Sequence, residues 1–443
     1  MAAAQCAAAH GVDVALLDEQ ERPGGQIYRS VDDSPLPDPT LLGSDYLYGR
    51  QQVADFRNAD IDYFSGATVW NLDRNREVSV LVDGKSRGLG ADRIVIAAGA
   101  QERPMPVPGW QLPGVMTAGA GQILLKSAAM IPPDDVVLAG SGPLLLLLAS
   151  QYLKAGVGIQ AILDTTPRSN RPRAVRHLIR ALESVSYLAK GMGLIASIRR
   201  SRVPVYKEVT ALNAHGDEVL EAVKFNSRGQ GHELPTGTLM LHIGVTPQLH
   251  LEMAADCEIR WDEAQSCWRP GLDQWLCSTV PGIGIAGDGA GIVGAQASQL
   301  QGQLAGLQCV YELGALNRDQ RDLKAVAIRK SLDKHLAIRP FLDSIYRPSP
   351  EFLTPVDDTM VCRCEEVSAG EIREIARLGC QGPNQAKAFS RCGMGPCQGR
   401  QCGSTVAALI AEVQGRKISD VGYYRVRPPI RPITLGQMGN LEK

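Results

Sequence analysis

The sequence predicts an α/β chain: two Rossmann-like βαβ units, the first lacking its opening strand, followed by a small helical cysteine-rich domain. Three observations predict it. "MAAAQCAAAHGVDVALLDEQERPGGQIY" reads as a small-residue helix, an apolar strand from Val12 to Leu17, the closing acids Asp18 and Glu19, and a turn at Gly24 and Gly25. That is the second half of a βαβ unit. "DDVVLAGSGPLLLLLASQYLKAGVGIQAILD" reads as a complete unit: strand, glycine turn, helix, strand and acid. Finally, six of the 11 cysteines lie between Cys362 and Cys402.

Bulk composition narrows the class. A chain of 443 residues can hold two or three domains with real cores. Net charge is −1, with 21% charged residues and a mean hydropathy of −0.09. This balance excludes a nucleic-acid footprint and gives no sign of a membrane-surface anchor. The N-terminus lacks a charged region followed by a clean apolar core, so no secretory signal is expected. "PLLLLLASQYL" is too short to span a bilayer and follows a glycine turn, so it reads as a buried helix. One late cysteine cluster in a large signal-free chain points to a reducing compartment, hence the cytoplasm, with attachment to the inner-membrane periphery through a complex as the alternative, and to a metal site.

The elements follow in order. The opening helix runs from Ala2 to His10. "TVWNL" and "VSVLV" are strands of an inserted antiparallel piece. "RIVIAAGA" (93–100) is a buried strand ending in small residues, and "PMPVPGWQLPGV" is a linker. The second unit has its strand at Val136–Ala139, its helix at Leu144–Lys154 and a second strand ending at Asp164. A basic helical stretch from Arg168 to Arg202 follows and reads as a solvated or partner-facing surface. "VPVY", "VLEAVKFN" and "TLMLHIG" are strand-like. "GIGIAGDGAGIVGAQASQLQGQLAG" (282–306) is a strand, tight turn and small-residue helix. Residues 316–355 form a charged helix and linker. The tail "YYRVRPPIRPITLGQMG" is too proline-rich for a helix and is expected to run extended.

In a dinucleotide-binding unit, helix amides and close-packed glycines hold a pyrophosphate, and an acid ending the second strand accepts ribose hydroxyls. Asp18 stands where that acid belongs, with Glu19 as neighbouring candidate; an ordinary βα turn capped by an acid is the alternative. In the second unit the glycine loop holds Gly140 and Gly142. Leu145 departs from the small residue expected there, and Asp164 favours a 2′-hydroxyl, so NAD over NADP. A Rossmann domain that packs without binding a nucleotide is the competing reading. No Cys-x-x-Cys pair is present, which disfavours a thiol–disulfide relay. Cys6, Cys257, Cys267, Cys277 and Cys309 are scattered and read as small core hydrophobes. In the late cluster, "CRC" supplies Cys362 and Cys364, and "CQGRQC" supplies Cys397 and Cys402. Four thiolates in two close pairs suit iron–sulfur or zinc ligation, and the C-x-C spacing tilts the choice toward [2Fe–2S]. Cys392 is a rival ligand and Cys380 a weaker one. Gly393, Gly395, Gly399 and Gly403 are expected to let backbone amides reach the sulfurs.

"PGGQIY", "VIAAGA" and "GIGIAGD", in this order, resemble the two-dinucleotide-domain flavoproteins that include thioredoxin reductase. That resemblance implies FAD held by Asp18, Glu19, Gly25, Gln26, Ala98, Gly99, Gly287, Asp288, Gln296 and Ala297. It implies a discontinuous FAD domain (1–115 and 270–315), a second NAD-like domain (116–269) able to take NAD or another nucleotide, a helical linker (316–355) and a [2Fe–2S] domain with tail (356–443). "CRCEEV" and "GMGPCQGRQCG" resemble the bacterioferritin-associated-ferredoxin type of domain, apart from the wider second spacing. The combination resembles the large subunit of opine oxidases, of D-hydroxyproline or L-proline dehydrogenases, and the cyanide synthase B subunit.

The family resemblance implies an electron-transfer subunit. A partner FAD subunit of amine-oxidase type oxidises the amino acid, a small ferredoxin-like subunit is a further candidate partner, and electrons pass toward the respiratory chain. Such relatives begin with a strand and "GxGPAG", so the expected start here is an internal methionine, with roughly 10–20 upstream residues completing the unit. The alternatives are a stand-alone NADH-dependent flavoprotein reductase and a non-catalytic iron–sulfur docking subunit. No acid–base catalytic set is visible in the sequence.

Overall fold

The computed structural model describes residues 1–441; residues 442–443 of the expected C-terminal domain lie outside them. The second unit supplies the largest sheet. Its five strands run in the order Val205–Lys207, Ile159–Asp164, Val136–Gly140, Leu239–His242, Val115–Thr117, and every neighbouring pair is parallel. Val136–Gly140 is buried along its whole length, as a strand covered on both faces must be. The Pro143–Lys154 helix packs on it through Leu145 and Leu148. Gly140 and Gly142 have φ +133° and +121°. A Cβ on Gly140 would overlap the His242 carbonyl, and one on Gly142 would lie 3.2 Å from the His242 ring. Packing against His242 therefore requires both glycines, whether or not a nucleotide binds.

The first unit is assembled from two separate parallel pairs. Ala15–Leu17 pairs with Asp62–Phe64, and Ile94–Ile96 pairs with Ile283–Ile285. The opening strand is shorter than its apolar run predicts, because Val12–Val14 stays outside the ladder. The Ala2–Ala8 helix lies on the Ala295–Glu312 helix at close range. Cβ atoms on Gly302 and Gly306 would come within 3.1 Å of Ala2 and 2.8 Å of Ala3 and Cys6. The inserted antiparallel sheet forms as expected, with a third strand at Lys85–Gly90.

The cysteine-rich region folds around its own core. Val361, Ile372, Val406, Leu409, Ile410 and Tyr424 pack with four of the cysteines. A short hairpin, Met360–Cys362 with Val367–Ser368, leads into a helix at Ala369–Arg377 that opens with a Ser368/Glu371 capping box. The tail is extended as predicted, except that Leu435–Gly439 closes into one helical turn capped by Thr434 and Gln437. The "PLLLLL" run is a buried helix, and no helix among the described residues is long and apolar enough to cross a membrane.

Candidate functional site

Strands Ile94–Ile96 and Ile283–Ile285 are parallel neighbours, so their C-terminal ends open on the same side. Ala98 and Gly99 follow the first, and Gly287, Asp288 and Gly289 follow the second. Gly289 meets Gly99 directly: a Cβ on it would lie 3.5 Å from the Gly99 N and O atoms. Crevices at such strand ends are where doubly wound sheets take ligands. Gly25, Gly99 and Gly294 all have positive φ, and a Cβ on any of them would meet nothing within 4 Å. These are open places where a bound molecule can approach the backbone.

Asp288 Oδ1 accepts the backbone N–H groups of Val293 and Gly294, both at 2.8 Å, and so fixes the turn that leads into the Ala295–Glu312 helix. The Gly287 N–H donates to Gln301 at 3.0 Å. Ala297 is fully buried, whereas Gln296 is exposed and accepts from Tyr187 at 3.2 Å. Asp18 ends its strand as expected. It accepts from the Gln20 N–H at 2.9 Å and from the Tyr63 hydroxyl at 3.3 Å, and burial raises its pKa. Glu19 instead pairs with Arg431 of the tail at 2.6 Å. Gln26 accepts from Arg29, while its carbonyl and that of Ile27 accept from buried Lys126. The structure thus gathers Ala98, Gly99, Gly287 and Asp288 on neighbouring strand ends, and it places Asp18, Glu19 and Gln26 in the loop that follows the Ala15–Leu17 strand of the other pair.

One residue of this region escaped the sequence reading. Glu252 is fully buried, both carboxylate oxygens lack a partner, and one lies 3.6 Å from the position a Gly289 Cβ would take. Burial raises its pKa to about 8, so it holds its proton at neutral pH. A lone Glu in a five-residue helix carries no sequence signal.

The cysteine region forms two groups. Cys362, Cys392 and Cys402 are buried, with their Sγ atoms all within 4.8 Å of one another. Cys392 and Cys402 are 3.9 Å apart. Cys364, exposed, lies beside Cys397 within hydrogen-bonding reach of its thiol and its amide. In the trio, hydrogen bonds from the Cys392 and Cys402 thiols, aided by the Gly393 and Glu365 amides, draw the Cys362 pKa down to about 2. The same sharing pushes Cys392 up to about 12 and Cys402 well above the usual thiol value. One thiolate held by two thiols is a site where a cation can displace two protons.

The donor set fits a thiolate-bound metal. A tetrahedral site with metal–sulfur bonds of about 2.3 Å has edges of about 3.8 Å, close to the Cys392–Cys402 separation. Cys380 is buried but donates to the Gly382 carbonyl instead. The glycines are used differently from the expectation. Gly393 and Gly399 make room for the Tyr424 ring, Gly403 for Tyr423 and Gly395 for Cys364; of the four, Gly393 also sends its amide to a sulfur.

The cysteine turn is docked on the strand ends described above. Gln101 donates to the Arg400 carbonyl at 2.9 Å, and His250 lies 3.3 Å from the Gln398 carbonyl. Gln101 is two residues from Gly99, and the Gly99 carbonyl accepts the Gln248 N–H at 2.9 Å. Trp110 secures the other side by donating to the Met360 carbonyl at 2.7 Å.

The chain has known relatives. Residues 1–303 match the pyridine nucleotide-disulphide oxidoreductase family, and residues 357–440 match the sarcosine oxidase A3 domain. The opine oxidase A subunit of Rhizobium meliloti is 42% identical across 100% of this chain and 85% of its own length. The chain belongs to the family of opine oxidase A subunits. Hydrogen cyanide synthase subunit HcnB of Pseudomonas aeruginosa is 30% identical over 100% of this chain and 96% of its own. The crystal structure of L-proline dehydrogenase from P. horikoshii has the same fold, with a TM-score of 0.71 over 99% of this chain and 76% of that one at 19% identity.

In this family member the second unit's Asp164 ends its strand and accepts from the Thr166 N–H at 2.9 Å. Leu145, where a small residue was expected, is buried in the main core.

Proposed function

We propose that this chain is the electron-transfer subunit of a heteromeric complex that oxidises an amino acid or opine at a CH–NH bond. A partner subunit of amine-oxidase type performs the substrate oxidation, and a small ferredoxin-like subunit is a candidate third member. The chain itself is an oxidoreductase subunit, and the relatives that support the reading are themselves subunits of larger enzymes. When bound, a flavin takes an electron pair and releases single electrons, and a [2Fe–2S] centre takes them one at a time.

The supporting observation is the docking of the cysteine turn on the strand ends that carry Gly99. Gln101 and His250 hold Arg400 and Gln398, between Cys397 and Cys402, against the segments that flank Gly99. In this reading Gly25, Gly99, Gly287 and Gly294 give FAD its approach to the backbone. Asp18 and Asp288 face its hydroxyl-bearing parts, and Gln296 and Ala297 stand at the ring edge. Cys362, Cys364, Cys397 and Cys402 hold the cluster, with Cys392 buried against them. Gly140, Gly142 and Asp164 form the second, nucleotide-type site, for which NAD is the candidate.

A second reading of the metal is favoured by the compactness of the Cys362–Cys392–Cys402 trio, which suits a single tetrahedral ion with a fourth ligand. Co-expression with an amine-oxidase-like subunit tests the functional reading. A stable complex with dye-linked dehydrogenase activity toward proline, hydroxyproline or an opine, absent from the isolated chain, is expected. Turnover of any of these by the isolated, flavin-loaded chain contradicts it.

A further inference from the structure

In the second unit, Ile159–Asp164 and Val205–Lys207 are adjacent parallel strands. Residues 165–204 connect them, more than twice the length of the 141–158 connection that serves the neighbouring pair. The topology does not need the extra length. It is spent on a nearly continuous helical arm: Asn170–Val175, Leu178–Ala181, Leu182–Ser184 and Val185–Arg200.

The arm is packed inside out. Over its first three segments the inward residues are small or polar: Asn170, Ala174, Ala181 and Ser184 are buried. Asn170 donates to the Arg347 carbonyl at 2.8 Å, Ser184 to that of Lys334, and Tyr187 bonds His335 at 2.9 Å. Apart from Ile198, which is buried in the main core, the largest aliphatic side chains of the arm face outward. Ile179 is 85% exposed, Met192 65% and Val175 63%, with Val185 and Leu182 more than half exposed. A helical layer that only covered its own domain would bury these residues and expose the alanines. Several large exposed aliphatic residues concentrated in one segment are characteristic of a contact face.

Charge identifies what the face contacts. Residues 165–204 carry eight arginines and Lys190 against Glu183 alone, in a chain whose net charge is −1. Arg168 and Lys190 have ion partners, in Glu208 and Asp45. Arg171, Arg173, Arg176, Arg180, Arg199 and Arg200 have none among the described residues. Cations flank the apolar stripe and, at Arg176 and Arg180, alternate with it, and the stripe is aliphatic, with its one aromatic residue, Tyr187, bonded to His335. An anionic bilayer surface satisfies both features together: aliphatic side chains enter the acyl boundary while arginines reach lipid phosphates. We propose that the 165–204 arm is a peripheral docking surface for anionic membrane. The inference stands on this surface and is independent of the flavin and metal readings.

Co-sedimentation of the full-length purified chain with lipid vesicles tests it. The probes are phosphatidylcholine vesicles and vesicles that also contain phosphatidylglycerol. Binding to the anionic vesicles is expected, weakened by salt, with at least about tenfold weaker binding to phosphatidylcholine alone. Ile179→Glu with Leu182→Glu, and separately Arg176→Glu with Arg180→Glu, are each expected to reduce binding about tenfold or more while the thermal midpoint stays unchanged. Failure to bind anionic vesicles overturns the proposal, as does binding that either double variant leaves intact. A self-associating chain that the Ile179/Leu182 variant converts to monomers, without vesicle binding, assigns the face to a second copy instead. Occupation of the arm by an amine-oxidase-like subunit in the assembled complex, seen as protection that vesicles do not reproduce, assigns it to that partner.

Discussion

The Cys402 thiol lies 3.9 Å from that of Cys392, and the Tyr424 hydroxyl closes the space over both, donating to the Cys392 carbonyl at 3.0 Å. Spacing in the sequence suggests two pairs, Cys362/Cys364 and Cys397/Cys402. Folding regroups them, because the chain turns sharply after the Met360–Cys362 strand and Cys362 and Cys364 need not share an environment. The ligand set is therefore testable residue by residue. Serine at Cys362, Cys364, Cys397 or Cys402 is expected to abolish the iron–sulfur absorbance. Cys392→Ser is expected to keep it with a shifted spectrum, and Cys267→Ser to leave it unchanged. Metal loss in Cys392→Ser with retention in Cys364→Ser would establish the single-ion trio.

Glu252 makes stability depend on pH. Its folded pKa of about 8 lies above the ordinary 4.5, so the folded chain holds a proton that the unfolded chain releases. Stability contributed by the neutral acid is complete below pH 4.5 and is lost as pH rises toward about 8. Glu252→Gln is expected to flatten that decline, with a gain at pH 8 of up to about 4 kcal/mol and none at pH 4. Parallel pH profiles of the two proteins in thermal melts would refute this.

The contact between the first helix and the Ala295–Glu312 helix depends on glycine. Gly306→Val places methyl groups against the Ala3 carbonyl and Cys6. A loss of about 1–3 kcal/mol is expected from overpacking, together with reduced flavin content. Unchanged denaturant midpoints would contradict the close approach.

Trp110 ties the cysteine domain to the rest of the chain. Trp110→Phe keeps the ring buried and removes the indole donor from the Met360 carbonyl. Destabilisation of about 1 kcal/mol is expected, with faster proteolysis near residues 346–359. Identical cleavage kinetics would show that the bond contributes nothing to docking.

The sequence made the scaffold legible where a local rule acts. Apolar runs bounded by glycine located Val136–Gly140, Ile159–Asp164 and Ile283–Ile285 to within a residue or two. The strand-end positions of three candidate residues were legible: Asp18, Asp164 and Asp288 all stand at or just past the ends of their strands. What escaped depends on tertiary placement. Glu252 is significant only because it is buried beside Gly289. Glu19 turns to Arg431, and the glycines near the cysteines serve tyrosines about 20 to 30 residues away in sequence. The basic stretch from Arg168 to Arg202 was legible, but the outward exposure of Val175, Ile179, Leu182, Val185 and Met192 beside it was not, because exposure depends on how the helices pack.

The central claim is a redox-active thiolate cluster docked beside a flavin fold. Metal and sulfide analysis of the anaerobically purified full chain, with electron paramagnetic resonance after reduction, tests it most directly. The account predicts a brown protein containing iron and acid-labile sulfide, with a reduced [2Fe–2S] signal. A colourless protein carrying zinc in the cysteine site would contradict it.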